Sequence, residues 1–444
     1  MAAPVATGRR PSTRADVRTA ATAVGLVALA AAVAVVLRAA GSPVRASAAP
    51  LYAHWLPHAG AGTPAAITVA VGVVWHGPAV AASLPWRRLL AAGYGAAVAW
   101  TLSLALVDGW GRGLAGRLTT SHEYLSEVDR VDGVPAMLRG FAGRIVDTGP
   151  ESWATHVAGH PPGALLAFVA LDRIGLGGGG WAALACVLAG ALVAVAVPVT
   201  VRALGDEPSA RATVPFLALL PGAVWVGASA DGLFAGVSAS GVALLALGLT
   251  RKDRRSSAVL CGASGVVLAF ACYLSYGLVL LAPIVLAVVV RSRAARKLPW
   301  VLAGGVAVVA AFTLGGFWWF EGYRLVVERL HQGIASDRPY AYWVWANLAA
   351  LVACAGVASV AVVRRATVLR RREAACLLPL AAAAAVLAAD LSGLSKAEVE
   401  RIWLPFAVWM LAGAGLLPPR TRRAWLLAQC GTALAVNHLL LTTW

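Results

Sequence analysis

Ala154-Thr-His156-Val-Ala-Gly-His160-Pro161-Pro162-Gly163-Ala-Leu-Leu166 joins the longest polar segment of the chain to an apolar run, and its reading decides the fold. Two histidines stand four residues apart before a Pro-Pro corner, where a polar loop re-enters a hydrophobic helix. Upstream, residues 108–160 are polar, and nearly everything else is apolar enough to sit in lipid. The chain reads as a membrane-embedded enzyme that holds its chemistry in one outer loop.

Composition agrees. Of 444 residues, 60% are hydrophobic and 13% charged, with a mean hydropathy of +0.76, whereas a soluble domain carries about 25% charged residues. Apolar runs of about 20 residues recur, each able to cross a hydrocarbon core of about 30 Å as a helix. The net charge of +17 does not point to nucleic acid, because the basic residues cluster in short loops between apolar runs. They are Arg9, Arg10, Arg14 and Arg18; Arg87 and Arg88; Arg251 to Arg255; Arg291 to Lys297; Arg364 to Arg372; and Arg420 to Arg423. Such loops mark the cytoplasmic side and meet anionic lipid headgroups. The six cysteines lie in or beside apolar spans with no CxxC pair, so neither a disulfide framework nor a zinc site is expected. The arginine-led apolar run at 19–40 resembles a signal sequence but is long enough to span, and reads as a retained first helix.

Candidate spans fall at about 19–40, 65–83, 89–107, 161–176, 180–202, 213–229, 231–249, 256–273, 276–290, 299–319, 342–363, 374–390, 402–418 and 424–442. With Arg87 and Arg88 inside, 108–160 is outside, yet Arg251 to Arg255 must be inside again, and four segments intervene. One of them therefore does not cross, with Gly177 to Gly180 and Pro221/Asp231 as the expected irregularities. The fold class is an all-α polytopic membrane protein of about 13 transmembrane helices with the C-terminus outside. It divides into N-terminal helices (1–107), an outer catalytic loop (108–160) and a remaining core (161–444) with outer loops at 320–341 and 391–401. Within the catalytic loop, Val134, Met137, Leu138, Phe141, Ile145 and Val146 recur at helical spacing, predicting an amphipathic helix on the outer membrane surface. Spacing also sets Glu123, Glu127 and Arg130 on one helical face.

Seven of the twenty acidic residues lie in 108–160, among them Glu123, Glu127 and Asp129. A carboxylate partly desolvated at a membrane surface gains a raised pKa and can act as a general base; the alternative is pairing with Arg112, Arg117 and Arg130. His156 and His160 would share a helical face, but Pro161 biases His160 away from helix and turns it into the cavity above the next span. No third and fourth ligands are evident, so no metal site is expected, and hydrogen bonding or phosphate contact is the favoured role. Asp231 in Gly227-Ala-Ser-Ala-Asp-Gly-Leu-Phe234 either faces a polar cavity or caps the helix after it. Trp318, Trp319 and Phe320, with Tyr340, Tyr342, Trp343 and Trp345, read as an interfacial belt. Gly177 to Gly180 lacks the Lys and Ser/Thr of a phosphate loop, and no cofactor is expected.

His122-Glu123-Tyr124, His160-Pro161-Pro162 and Ser395-Lys396-Ala-Glu398-Val-Glu400-Arg401-Ile-Trp-Leu-Pro405 together resemble the GT-C membrane glycosyltransferases, the class of protein O-mannosyltransferases and aminoarabinose transferases. In that family the first long outer loop opens with an acidic motif and closes with a His-Pro-Pro run, and a late outer segment carries basic residues before a proline-started helix. Tyr273-Leu-Ser275-Tyr276-Gly277 is a weaker echo. Ser275 stands where the family commonly has Lys, and His122 where it has Asp; the His122 departure moves the base to Glu123. The resemblance implies an inverting transfer of a sugar from a polyprenyl-phosphate carrier to a glycan, glycolipid or protein acceptor of the cell envelope, on the outer face of the plasma membrane; the alanine- and arginine-rich composition points to a bacterial source. Glu123 would be the general base; His122, Tyr124, His156, His160, Asp231, Lys396 and Arg401 would bind substrate. A transporter or lipid flippase is the alternative, but transporters usually show paired broken helices in two halves, whereas here polarity is concentrated in one asymmetric loop.

Overall fold

The computed structural model describes residues 11–227 and 229–443; Arg9 and Arg10 of the first basic cluster, and Ala228 beside Asp231, lie outside the described residues. The path begins with α1 (Thr13–Ala39), then a hairpin of α2 (Gly62–Ser83) and α3 (Trp86–Ala105) turned by Pro85. The long loop holds only short helices, among them α4 (Val134–Gly140) and α5 (Thr155–Ala158). Next come α6 (Pro162–Arg173), α7 (Gly179–Ala191), α8 (Val193–Ala203), α9 (Glu207–Ala218), α10 (Ala223–Val226), α11 (Asp231–Thr250) and α12 (Arg254–Leu274). They are followed by α13 (Ala282–Ser292), α14 (Leu298–Leu314), α15 (Trp319–Gln332), α16 (Tyr340–Ala355), α17 (Val357–Leu369) and α18 (Ala374–Leu391). The short α19 (Val399–Ile402), α20 (Leu404–Met410) and α21 (Arg422–Leu439) complete the bundle. A ribbon of β1 (Ala53–Trp55) and β2 (Leu440–Thr442), with Ala53 opposite Thr442, ties the segment between α1 and α2 to the stretch after α21.

Local chemistry sets the helix ends. Asp206 and Asp253 accept the backbone N–H of Ser209 at 3.1 Å and Ser256 at 2.7 Å, capping α9 and α12. Pro162 takes the first position of α6, where its missing N–H costs no intrahelical bond. Among the described residues seven helical segments are long and apolar enough to cross a membrane, and eight if α16 and α17, bent by 107°, are one span. The chain is an all-α polytopic membrane protein.

The loops fall at two ends of the bundle. The basic face gathers the turns around 84, 205, 251, 293, 370 and 418, where Arg211 donates to the Leu84 carbonyl, Lys297 to the Arg251 carbonyl and Arg365 to the Leu416 carbonyl; the loop face gathers 108–160, 315–340 and 391–403, where Arg329 meets Asp147 and Arg338 the Lys396 carbonyl. At the basic face Asp16 is fully buried between Arg364 (2.6 Å) and Arg365 (2.7 Å), which anchors α1 to α17. A carboxylate carried by an apolar helix is retained where a partner neutralises it.

The candidate span at 161–176 is corrected. α6 has 12 residues and so reaches about 18 Å at 1.5 Å per residue. Its start packs at Gly163 against the Tyr273 carbonyl, where a Cβ would collide. Its end donates from Arg173 to the Val131 carbonyl at 3.1 Å, and the next helix starts with Gly179 against the Ala115 carbonyl. Both ends of α6 thus sit on the loop face, and its length falls short of a hydrocarbon core of about 30 Å. Gly178 makes the turn after it at φ +86°, a conformation that favours glycine. Segment 213–229 is also broken rather than continuous: α9 stops at Ala218, and beyond Pro221 the Gly222 N–H leaves the helix to bond the Cys354 carbonyl at 2.7 Å.

Two amphipathic segments differ from expectation. The 134–146 segment is a short α-helix and a 3-10 turn, and its buried Met137, Leu138, Phe141 and Ile145 meet protein: Phe141 lies 5.3 Å from Trp153 and 5.5 Å from Phe317. A longer amphipathic helix is α15, in what reads from sequence as an outer loop, with Phe320 exposed and Val326 buried. Of the expected aromatic belt, Trp318, Phe320 and Tyr340 are exposed, whereas Tyr342 and Trp343 are buried and Tyr342 donates to the Ala30 carbonyl of α1 at 2.9 Å.

Candidate active site

The long loop is a folded unit stitched across its two limbs. A turn bonds the Glu123 N–H to the Thr120 carbonyl at 3.0 Å, and a 3-10 helix then runs over Tyr124–Arg130. Glu127 pairs with Arg130 at 2.9 Å and accepts the Ala154 N–H at 2.9 Å, and Arg130 also reaches Glu151 at 3.3 Å. Asp108 pairs with Arg112 at 2.5 Å and Asp147 with Arg329 at 2.7 Å. These four loop carboxylates hold the loop together by ion pairs. Arg117 donates instead to the Thr443 carbonyl at 2.6 Å.

Glu123 is set apart. It precedes the 3-10 helix in an extended conformation, which corrects the expectation that it shares a face with Glu127 and Arg130. The His156 N–H donates to the His122 carbonyl at 2.9 Å, and that stitch brings Glu123 Oε1 to 3.6 Å from His156 Nε2. Burial pushes the Glu123 carboxyl up to about 7; Asp231 and Glu398 add to the rise, and Arg401 opposes it. Burial, then the Arg401 charge, holds His156 well below the usual imidazole range.

His160 is fixed from two sides. Its Nδ1 lies 2.7 Å from the His156 carbonyl and 2.9 Å from the Tyr124 hydroxyl. A carbonyl only accepts, so Nδ1 carries the proton and Nε2 is the acceptor. Burial lowers its pKa, with Asp231 opposing. The Tyr124 ring stacks 5.1 Å from Phe168 of α6, so α6 is the platform under the motif.

The opposite wall comes from the late loop. Asp231 is the first residue of α11; its carboxylate reaches Arg401 at 2.8 Å and lines the cavity between the two walls. Arg401 also donates to Glu398 at 2.6 Å, and Glu398 accepts both terminal nitrogens of Arg338 at 3.1 Å. Cations and carboxylates thus alternate from Asp231 through Arg401 and Glu398 to Arg338. Burial pushes the Glu398 carboxyl up, but the two arginines outweigh it and leave it below its usual range. Ala397 and Glu398 both sit at positive φ, +66° and +62°, a conformation costing about 1–3 kcal/mol per residue that persists only where neighbours enforce it. Asn347 does so, accepting the Ala397 N–H at 3.2 Å while donating to the Ser395 carbonyl at 2.9 Å and to Asp390 at 3.0 Å. Behind this wall, Glu400 accepts the Tyr52 N–H at 2.8 Å, and burial pushes its carboxyl up to about 7.

Between the walls lies a cavity of about 810 Å³. His122, His156, His160, Asp231, Lys396 and Arg401 line it; Glu123 and Tyr124 sit one layer behind, 2% exposed each. Its sides are apolar, with Phe234, Leu278 and Phe406 from the bundle and Val326, Leu330 and Ile334 from α15 and its extension. Arg338, Glu398, Tyr52 and Arg329 are additions that the sequence reading did not place in the site. A signal for Arg338 existed: it directly precedes Pro339 and an aromatic helix start, much as Arg401 stands shortly before Pro405. Among the described residues no group of three or more His, Cys, Asp or Glu side chains is placed to hold a metal ion.

No family model and no curated protein matches the chain. Among solved structures, ArnT from Cupriavidus metallidurans in the apo state is 20% identical, with a TM-score of 0.47 over 73% of this chain and 60% of that one. The Archaeoglobus fulgidus oligosaccharyltransferase, tethered to an acceptor peptide, is 12% identical, with a TM-score of 0.42 over 74% of this chain and 49% of that one. The chain spans 60% of the first and about half of the second.

Proposed function

We propose that the protein is a membrane glycosyltransferase of the GT-C type, transferring a sugar from a polyprenyl-phosphate carrier to a hydroxyl of a cell-envelope glycan, glycolipid or protein. The observation that carries this reading is a single cavity in which His156, backed by buried Glu123, stands among Arg401, Arg338 and Lys396, with apolar walls beside them. An inverting transfer needs a base for the acceptor and cations for the departing lipid phosphate. In the reaction the acceptor oxygen bonds to the anomeric carbon as the bond from that carbon to the phosphate oxygen breaks. The proton goes to Glu123, and the electron pair leaves with the polyprenyl phosphate. Arg401 and Lys396 meet the phosphate, His122, Asp231 and the acceptor Nε2 of His160 the sugar hydroxyls, and the apolar wall the prenyl chain.

Purified protein given a panel of polyprenyl-phosphate sugars and an envelope extract should release polyprenyl phosphate and yield an inverted anomer, and should ignore nucleotide sugars. Consumption of a nucleotide sugar with no turnover of any lipid-linked sugar would refute the proposal.

The cavity is proposed to face outward, on thirteen crossings, because the basic residues gather at the opposite end. An impermeant thiol reagent on intact cells should modify Ser121→Cys on the loop face and spare Ser256→Cys on the basic face. Five of the six native cysteines are buried, which keeps the background low. The reverse labelling pattern overturns the orientation.

A further inference from the structure

The carboxylate assigned as base does not reach the cavity. Glu123 is 2% exposed and absent from the cavity wall, whereas His156 forms part of that wall and presents Nε2 to Glu123 at 3.6 Å. Asp231 does reach the cavity, but one of its oxygens is committed to Arg401 at 2.8 Å, a poor arrangement for taking up a proton. An acceptor hydroxyl in the cavity therefore meets the imidazole before the carboxylate.

We propose that His156 relays the acceptor proton to Glu123. The hydroxyl proton passes to Nδ1 as the O–H bond breaks, and the proton on Nε2 passes to Glu123 Oε1. The ring is neutral before and after, having exchanged one tautomer for the other, and Glu123 ends as the neutral acid. This deepens the glycosyltransferase reading and rests on it.

Three features favour a relay over a base that stores the proton on the ring. The backbone on both sides of the ring is pinned, by the His156 N–H to the His122 carbonyl at 2.9 Å and by the His160 Nδ1–H to the His156 carbonyl at 2.7 Å. Burial and the Arg401 charge both disfavour an imidazolium at His156, so the ring can pass a proton but not keep it. Glu123, raised to about 7, can hold the proton afterwards. The separation of 3.6 Å is longer than a hydrogen bond, as catalytic contacts often are before substrate tightens them.

The test is transfer kinetics on wild type, His156→Ala, His156→Asn, Glu123→Gln and the His156→Asn/Glu123→Gln double variant. Each single variant should lose about 10²-fold in kcat, the scale of a lost proton-transfer group, with the donor KM little changed. Free imidazole should partly restore His156→Ala and do nothing for Glu123→Gln. The double variant should be no slower than the slower single, because the two groups act as one unit. Infrared spectroscopy adds a readout that needs no turnover: the protonated-carboxyl band that vanishes in Glu123→Gln should shift in His156→Asn. Near-wild-type turnover of the folded His156 variants, losses that multiply in the double variant, or an unmoved carboxyl band would each sink the relay. If the His156 variants stay active while Glu123→Gln is dead, Glu123 remains the base and only the relay falls. If wild type uses no lipid-linked sugar, the glycosyltransferase reading falls and the relay with it.

Discussion

Arg401→Ala is expected to abolish donor use and to destabilise the loop face at once, the largest effect of any single substitution in the site. Arg401 is 5% exposed and holds Asp231 and Glu398 on its two terminal nitrogens, at 2.8 and 2.6 Å. Removing it leaves Asp231 buried without that guanidinium and Glu398 with Arg338 alone, and breaking a buried pair of this kind costs about 3–5 kcal/mol. Arg401→Lys separates the two roles. Lysine keeps the charge, but a single ammonium replaces a planar fork whose two ends grip different carboxylates. The lysine protein should therefore recover most of the thermal stability and only part of the turnover. Thermal unfolding in detergent, with and without a polyprenyl-phosphate sugar, reads both: the donor should raise Tm in wild type, raise it less in Arg401→Lys, and leave Arg401→Ala unshifted. A folded Arg401→Ala protein with unchanged donor affinity and turnover would take Arg401 out of the site.

Glu123→Gln should lower kcat by about 10²-fold or more while leaving the fold in place, because glutamine keeps the shape and adds no buried charge. The pH profile is the sharper readout. With the carboxyl raised to about 7, Glu123 is protonated below that value and cannot accept a proton. Wild-type turnover should fall as pH drops through about 7 and level off above it. In Glu123→Gln that acid limb should vanish from the residual rate. A wild-type profile flat from pH 5 to 8 would mean the base is an ordinary exposed carboxylate, and the role would move to Asp129.

Much of this was legible in the chain because it is local. Composition and apolar run length require a polytopic helical protein whatever its tertiary arrangement, since only helices and closed barrels satisfy backbone polar groups in lipid. The Pro161–Pro162 corner removes two backbone donors and starts α6 where the sequence places it. His122, His156, His160, Asp231, Lys396 and Arg401 were all identifiable as polar groups set at the ends of apolar runs, and all six line one cavity.

What stayed hidden is what distance along the chain conceals. Asp231 and Arg401 are 170 residues apart and Glu123 and His156 are 33 apart, and no periodicity encodes which carboxylate meets which cation. The sequence by itself determined that a membrane-spanning helical chain carries one polar, histidine- and carboxylate-bearing loop, because burial in lipid is a rule about each segment alone. Only the tertiary structure decided that α6 turns back, that Arg338 and α15 complete the site, and that Glu123 stands behind His156 rather than in the cavity. Those outcomes depend on contacts between segments, where a few ångströms of packing choose among partners that the sequence offers equally.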